Sequence, residues 1–225
     1  MKHYLFAAIA MLGLLGGCSS PPQAKLQASI GTYNATTAGR SYVLVLRPQQ
    51  QPNSITVNVS GPGGYSESIT LQSASSRTPS GVWWQVGWDA GPSLSSGTYT
   101  FSALIDGQTE QVSVEVDASS TLTQPTVSIG NNPTTRSVTA SWNQIPGARA
   151  FLVRLVNRTT GSVVASARVT AFTATFGSLN LNTSDQYAVE VYAASSNIAN
   201  DPPIVAGQFN MSLGESASFT VSPAP

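Results

Sequence analysis

The sequence predicts an all-β chain built as two tandem β-sandwiches, and three observations carry that prediction. From Leu26 onward apolar residues alternate with polar ones in short runs, turn residues separate the runs, and no window holds a sustained helical period. The composition agrees. Apolar residues make up 41% of the chain and charged residues 9%, against roughly a quarter charged in an average soluble domain. A disordered chain would be poor in apolar residues and rich in net charge. The formal net charge is zero, so no basic field is present to hold nucleic acid.

The first element is a targeting segment. Lys2 and His3 open it, an apolar run from Leu5 to Leu15 follows, and small residues Gly16 and Gly17 lead to Cys18. A run of that length is too short for a membrane-spanning helix, which needs about 20 residues, but suits a signal-peptide core. Leu15-Gly16-Gly17-Cys18 resembles the bacterial lipobox, in which the cysteine becomes the lipidated first residue after cleavage. The resemblance implies a signal peptide over residues 1–17 and a lipidated Cys18 on a tether over 18–25. It also implies contact with a membrane through the lipid and a place in a bacterial cell envelope. Ser19, where Asp would retain a lipoprotein at the inner membrane, favours the outer membrane of a Gram-negative cell.

Cleavage would remove His3, the only histidine, and the lipid would consume Cys18, the only cysteine. The exported chain then lacks the parts of a Ser-His-Asp triad, a Cys-His pair or a His/Cys zinc site. No disulfide can form, so stability must come from packing.

In the first sandwich, residues 26–117, seven strands are read: Leu26–Gly31, Ser41–Arg47, Ser54–Ser60, Glu67–Ser73, Val82–Trp88, Gly97–Ile105 and Thr109–Val116. Tyr99, Phe101, Ala103 and Ile105 alternate with small polar residues, and Asp106-Gly107 supplies a tight hairpin before Val112, Val114 and Val116 return. Residues 118–124 are small and polar, the composition of a linker, and Pro125 closes them. In the second sandwich, residues 125–222, the strands are Thr126–Ile129, Arg136–Trp142, Ala150–Asn157, Ser162–Val169, Phe172–Ser178, Gln186–Ala193 and Ala217–Val221. Between the last two lie more than twenty residues, 194–216, far longer than an ordinary hairpin loop.

The second half resembles the fibronectin type III domains. The resemblance rests on Ser137-Val138-Thr139-Ala140-Ser141-Trp142 and Ile145-Pro146-Gly147-Ala148-Arg149-Ala150-Phe151, with a core Trp ending one strand and an aromatic opening the next. Leu181 and Tyr187 look like the family's tyrosine corner. The first half has a similar Gly97-Thr98-Tyr99-Thr100-Phe101 corner without the Pro-Gly-Ala element, and is read as immunoglobulin-like. Such core and corner positions imply a fold and not an activity.

Candidate site residues are few. On the strand Val82–Trp88, Trp84 and Trp88 share a face with Val82 and Val86 and read as core, which turns Trp83 outward as a stacking platform for a sugar. Tyr65 is a second stacking candidate. Ile204 and Val205, stiffened by Pro202 and Pro203, are candidates for a binding loop; alternatively Ile204, Phe209 and Met211 fold back as an extra edge strand. The scattered carboxylates form no glycosidase pair and no calcium loop. No catalytic residue, metal site or cofactor is expected. The sequence therefore reads as a non-catalytic, lipid-anchored envelope protein for binding, adhesion or scaffolding. Its expected partner is an envelope protein or a cell-wall or surface glycan. The rival reading is a carbohydrate-binding module using exposed aromatics.

Overall fold

Fourteen strands supply nearly all the regular structure of the described residues of the computed structural model, which are 24–73, 81–91, 93–205 and 207–224. The expected signal peptide and Cys18 lie outside them. In the first half the strands are β1 (Leu26–Asn34), β2 (Gly39–Leu46), β3 (Ser54–Gly61), β4 (Tyr65–Gln72), β5 (Trp83–Ala90), β6 (Gly97–Ile105) and β7 (Gln108–Val116). The second half holds β8 (Val127–Ile129), β9 (Val138–Trp142), β10 (Ala150–Asn157), β11 (Ser162–Val169), β12 (Thr173–Phe176), β13 (Tyr187–Ala194) and β14 (Met211–Glu215). The chain is all-β, two β-sandwiches in tandem.

Each sandwich has its own core. In the first, β3 and β6 turn Ile55, Val57, Val59, Tyr99, Phe101, Ala103 and Ile105 inward by strict alternation, against Leu26, Ala28, Ile30, Leu44, Leu46 and Trp83 of the facing sheet. Asp106 and Gly107 both take positive φ (51° and 77°), the geometry of a two-residue hairpin turn whose twist matches its strands. In the second, Val138, Ala140 and Trp142 of β9 meet Phe151, Val153 and Leu155 of β10 and Tyr187, Val189 and Val191 of β13. Both halves carry a tyrosine corner. The Tyr187 hydroxyl accepts from the Asn182 N–H at 2.8 Å and donates to its carbonyl at 3.2 Å. The Tyr99 hydroxyl does the same to Ser95 at 3.2 and 3.1 Å.

The halves are not beads on a string. Strands of both share one seven-stranded sheet, in the order β11-β10-β13-β14-β1-β2-β5, while β4-β3-β6-β7 covers one end of it and β12-β9-β8 the other. The seam is a short parallel pairing of β1 with β14, Tyr33 opposite Met211 and Asn34 opposite Ser212. The segment expected to be a linker runs along this seam. Thr32 and Asn34 of β1 and Ser212 of β14 donate to the carbonyls of Ser120, Leu122 and Thr123 at 2.7–2.8 Å. Gly214 lets it lie close, since any Cβ there would run into the Pro125 carbonyl.

The last strand falls earlier than expected. Met211–Glu215 forms β14, whereas Ala217–Val221 contributes only isolated pairing, Phe219 opposite Tyr187. Neither an extra edge strand nor a free loop describes the 194–216 segment. Met211 enters the middle of the shared sheet, and Phe209, fully buried, covers the sheet's outer face.

Candidate binding cleft between the two sandwiches

Neighbouring strands lie about 4.8 Å apart, so in a flat sheet β11 and β5 would be separated by six steps, roughly 29 Å. Their side chains nevertheless touch. The Arg168 guanidinium of β11 lies 4.7 Å from the Trp84 ring centre on β5, and Arg154 of β10 lies 4.7 Å from that of Trp88. The Trp88 ring is also 4.5 Å from Tyr192 of β13. The shared sheet therefore folds back on itself, and the outer faces of the two sandwiches confront each other. Tyr33, Val43, Ala150, Tyr192, Ala194, Ile198, Phe209 and Met211 form a third core there.

This folding corrects the expected roles of the tryptophans. Alternation along β5 is as read, but the faces are reversed. Trp83 is 0% exposed in the core of the first sandwich and offers no surface to a sugar. Trp84, Val86 and Trp88 point into the space between the sandwiches and are half-buried. The inner face of β5 reads as polar because Tyr42 fills it. A Cβ on Gly87 would collide with the Tyr42 ring, and Gln85 Nε2 donates to the Tyr42 hydroxyl at 2.9 Å.

Tyr65 is half-buried and committed to its neighbours. Its ring meets Tyr99 edge-on at 5.2 Å, and its hydroxyl donates to Glu67 at 2.7 Å and accepts from Arg40. Burial, and next the Glu67 carboxylate, push its phenol well above the usual range. Arg40 also makes a two-pronged pair with Asp89 at 2.9 and 3.0 Å and one bond to Glu67 at 2.6 Å. This is a tightly satisfied network and no stacking platform.

Two cavities open beside the third core. One, of about 400 Å³, is lined by Trp84, Val86, Trp88, Leu152, Arg154 and Arg168, with Ser166, Ala167 and Ile198 completing it. The other, of about 750 Å³, is lined by Ala148, Arg149, Ser195, Ser196, Asn197 and Ile204. They lie on either side of the Asn197–Ile198 segment. Ile204, 51% exposed, faces the larger cavity, and Val205 is half-buried against the third core. Arg168 holds the loop by donating to the carbonyls of Ile198 and Asn200 at 3.1 and 3.2 Å. The buried Tyr33 phenol nearby is pushed up to about 12, by desolvation first and by Glu190 second.

Sequence reasoning brought Ile204 to this site and missed Trp84, Trp88, Arg149, Arg154 and Arg168. A signal was present: Arg154 and Arg168 are single charges on otherwise uncharged strands, Arg154 alternating with Phe151, Val153 and Leu155 so that it points away from that core. Among the described residues no cluster of three His, Cys, Asp or Glu could hold a metal, and no helix is long and apolar enough to cross a membrane. The arrangement has the parts for binding: flat aromatic faces, planar cations and an open, partly apolar cavity.

No protein-family model and no curated protein sequence matches the chain. Among solved structures it is similar to a two-domain fibronectin type III segment of chicken tenascin. That match has 14% identity and a TM-score of 0.32, and covers 85% of this chain and 98% of that one. The FN1–FN3 domains of chicken CNTN1 match at 12% identity and a TM-score of 0.31, covering 88% of this chain and 64% of that one. The BSP domain of a biofilm associated protein matches at 18% identity and a TM-score of 0.27, covering 89% of this chain and 29% of that one.

Proposed function

We propose that the protein is a non-catalytic binding module, held at a bacterial cell envelope by lipid on Cys18, and that it takes its ligand in the cleft between the two sandwiches. One observation carries the reading: Arg154 and Arg168 are layered on Trp88 and Trp84 at the wall of an open cavity of about 400 Å³. Cations held over indole rings are a recognition device, preorganised before any ligand arrives. The two sandwiches supply a rigid frame, because the cleft walls belong to one continuous sheet. The lipobox-like Leu15-Gly16-Gly17-Cys18 supports the anchor, with acyl chains contributing about 0.8 kcal/mol per buried methylene. The partner is an envelope protein or a surface glycan. A carbohydrate ligand would engage the Trp84–Trp88 wall, not Trp83 or Tyr65.

The test is in cells. A photo-cross-linking residue replacing Ser166, which is exposed at the rim of the cleft, should capture a defined envelope product; one replacing Thr175, exposed on β12 away from the cleft, should not. Identical products from both positions would sink the cleft as the binding site. Changing Cys18 to Ser should leave an unprocessed precursor without lipid label, and normal processing of that variant would sink the anchor.

A further inference from the structure

We infer that the cleft recognises an oxyanion carried on a saccharide, a carboxylate or phosphate group of an acidic glycan, with Arg154 as the principal donor and Arg168 and Arg149 beside it. This rests on the cleft being the binding site proposed above.

The charge pairing points to an anion. The ion pairs of the described residues are Lys25–Asp106, Arg40 with Glu67 and Asp89, and Arg158 with Glu190 and Glu215. Arg149, Arg154 and Arg168, which line the two cavities, are in none of them. Glu190 stands opposite Arg154 in the β10–β13 register, yet its oxygens go to Arg158 at 3.2 Å and to the Tyr192 hydroxyl at 2.8 Å. No Asp or Glu lines either cavity. A half-buried cation without a carboxylate favours an anion brought by the ligand.

The donor geometry narrows the class. A guanidinium over a ring whose N–H groups have no protein acceptor presents those groups as a fork matched to a carboxylate or phosphate. Arg168 already spends one nitrogen on two loop carbonyls. The Arg154 guanidinium makes ring contacts with Trp88 and Tyr192, at 4.7 and 5.2 Å, and no hydrogen bond to the protein among the described residues. Its donors are therefore available, and they face an open cavity.

The lining favours a sugar over a protein surface. A stable protein interface buries on the order of 800 Å² per partner around an apolar centre, whereas among the described residues lining these cavities Ile204 alone is an exposed large apolar side chain, Trp84, Val86, Trp88 and Leu152 being half-buried. Beside the half-buried Trp84 and Trp88, the lining offers the exposed Ser166 hydroxyl and the Asn197 amide N–H groups, suited to sugar hydroxyls, while flat indoles suit sugar faces. A cavity of about 400 Å³ suits one or two sugar rings.

The test is calorimetric titration of the full chain in detergent micelles with trigalacturonate, its methyl ester, glucose 6-phosphate, maltotriose and hexaglutamate. Trigalacturonate or glucose 6-phosphate should bind, the two distinguishing a carboxylate from a phosphate source. The ester and maltotriose should bind at least tenfold more weakly, and salt should weaken binding of the anions. Arg154→Gln should lower affinity at least tenfold with the melting temperature kept. Arg154→Lys, which keeps the charge and loses the fork, should recover only part of it. Should Arg154→Gln disturb folding, the exposed Arg149→Gln, expected to lower affinity severalfold, provides the readout. Equal binding of acid and ester, tighter binding of hexaglutamate, or no binding by any probe would overturn the inference. Capture at Ser166 in cells would then still support the cleft as a binding site, so the two failures are distinguishable.

Discussion

Asn210 and Thr32, 178 residues apart in sequence, meet at one buried oxygen: the Thr32 backbone N–H donates to Asn210 Oδ1 at 3.0 Å, and the Thr32 hydroxyl, whose proton goes to the Ser120 carbonyl, lies 3.2 Å from it. Gln208 Nε2 donates to the same oxygen at 2.7 Å, and Asn210 Nδ2 donates to Ser120 Oγ at 3.2 Å. First half, second half and connecting segment thus converge on a single amide. Asn210→Ala would strand the buried Thr32 N–H, and should cost about 1–3 kcal/mol. Because the halves share a sheet and a third core, the wild-type chain should unfold in one calorimetric transition. Two well-separated transitions in the wild type would show that the seam does not couple the halves.

The seam was the least legible part of the sequence. Period-2 alternation finds strands whose partners are neighbours, and thirteen of the fourteen strands lie where the pattern puts them. The pairing of β1 with β14 is parallel, only two residues long and separated by most of the chain, so no local signal announces it. β14 is further disguised by Gly214, a poor strand former that is needed where Pro125 passes. The tryptophans failed for a related reason. Alternation says which residues share a face, but β5 is covered on both sides, by its own core and by the other sandwich. The face with Val86 and two tryptophans looked like the core, when the true core face uses Gly87 and Gln85 to make room for Tyr42. With the face reversed, the lone arginines of β10 and β11 hinted at a partner, but nothing local pointed to Trp84 and Trp88 as that partner.

Asp106 makes a prediction for acid. The backbone N–H groups of Gln49 and Gln50, then Lys25 at 2.9 Å, hold its carboxyl down to about 2. A depressed value means that ionised Asp106 stabilises the fold above the unfolded value of about 4, and that this contribution is lost as the pH falls towards 2. Asp106→Asn keeps a residue that tolerates the positive φ of this turn. Its melting temperature should fall below wild type at about pH 7 and converge with it near about pH 2. An equal deficit at both values would show that charge is not what Asp106 contributes.

Base should act on the interface between the sandwiches. Tyr33 is pushed up to about 12, and burial, followed by Glu190, raises Tyr192 as well. A raised phenol contributes stability that is complete below the unfolded value of about 10 and is lost as the pH climbs through the folded value. Urea midpoints should therefore fall between about pH 9 and about pH 12, and phenolate absorbance should lag behind that of the unfolded chain. Tyr33→Phe should flatten that fall. An unchanged slope in the variant would remove Tyr33 from the account.

Trp142 tests the second core. It sits beside Phe151, ring centres 5.2 Å apart, against Val138, Ala140 and Tyr187. Trp142→Ala should cost about 3–5 kcal/mol, the usual range for truncating a buried large aromatic. Trp83→Ala should cost a similar amount through the first core, since Trp83 is equally enclosed. A melting temperature unchanged within about a degree in either variant would contradict the burial described, because even 1 kcal/mol shifts it by roughly 2–4 °C in a chain of this size.

The long segment before β14 divides into a part that packs and a part that projects, and the two should respond differently. Phe209 is fully buried over the outer face of β1. Its N–H donates to the Ile30 carbonyl at 3.1 Å, and its own carbonyl accepts from the Ser41 hydroxyl at 2.7 Å. Gly31 sits directly beneath, where any Cβ would overlap the Phe209 carbonyl. Phe209→Ala should cost about 3–5 kcal/mol, and Gly31→Ala should force the segment off the sheet, with a comparable loss. Ile204, more than half exposed, carries no such burden, and Ile204→Ser should shift stability by no more than about 0.5 kcal/mol. Replacing all of Asp201–Phe209 with a short Gly-Ser loop should therefore lower the melting temperature, through Phe209 and the Gln208 bonds to Asp117 and Asn210. If the loop replacement melts like wild type, the segment is not part of the fold, and the cleft it borders loses one of its walls.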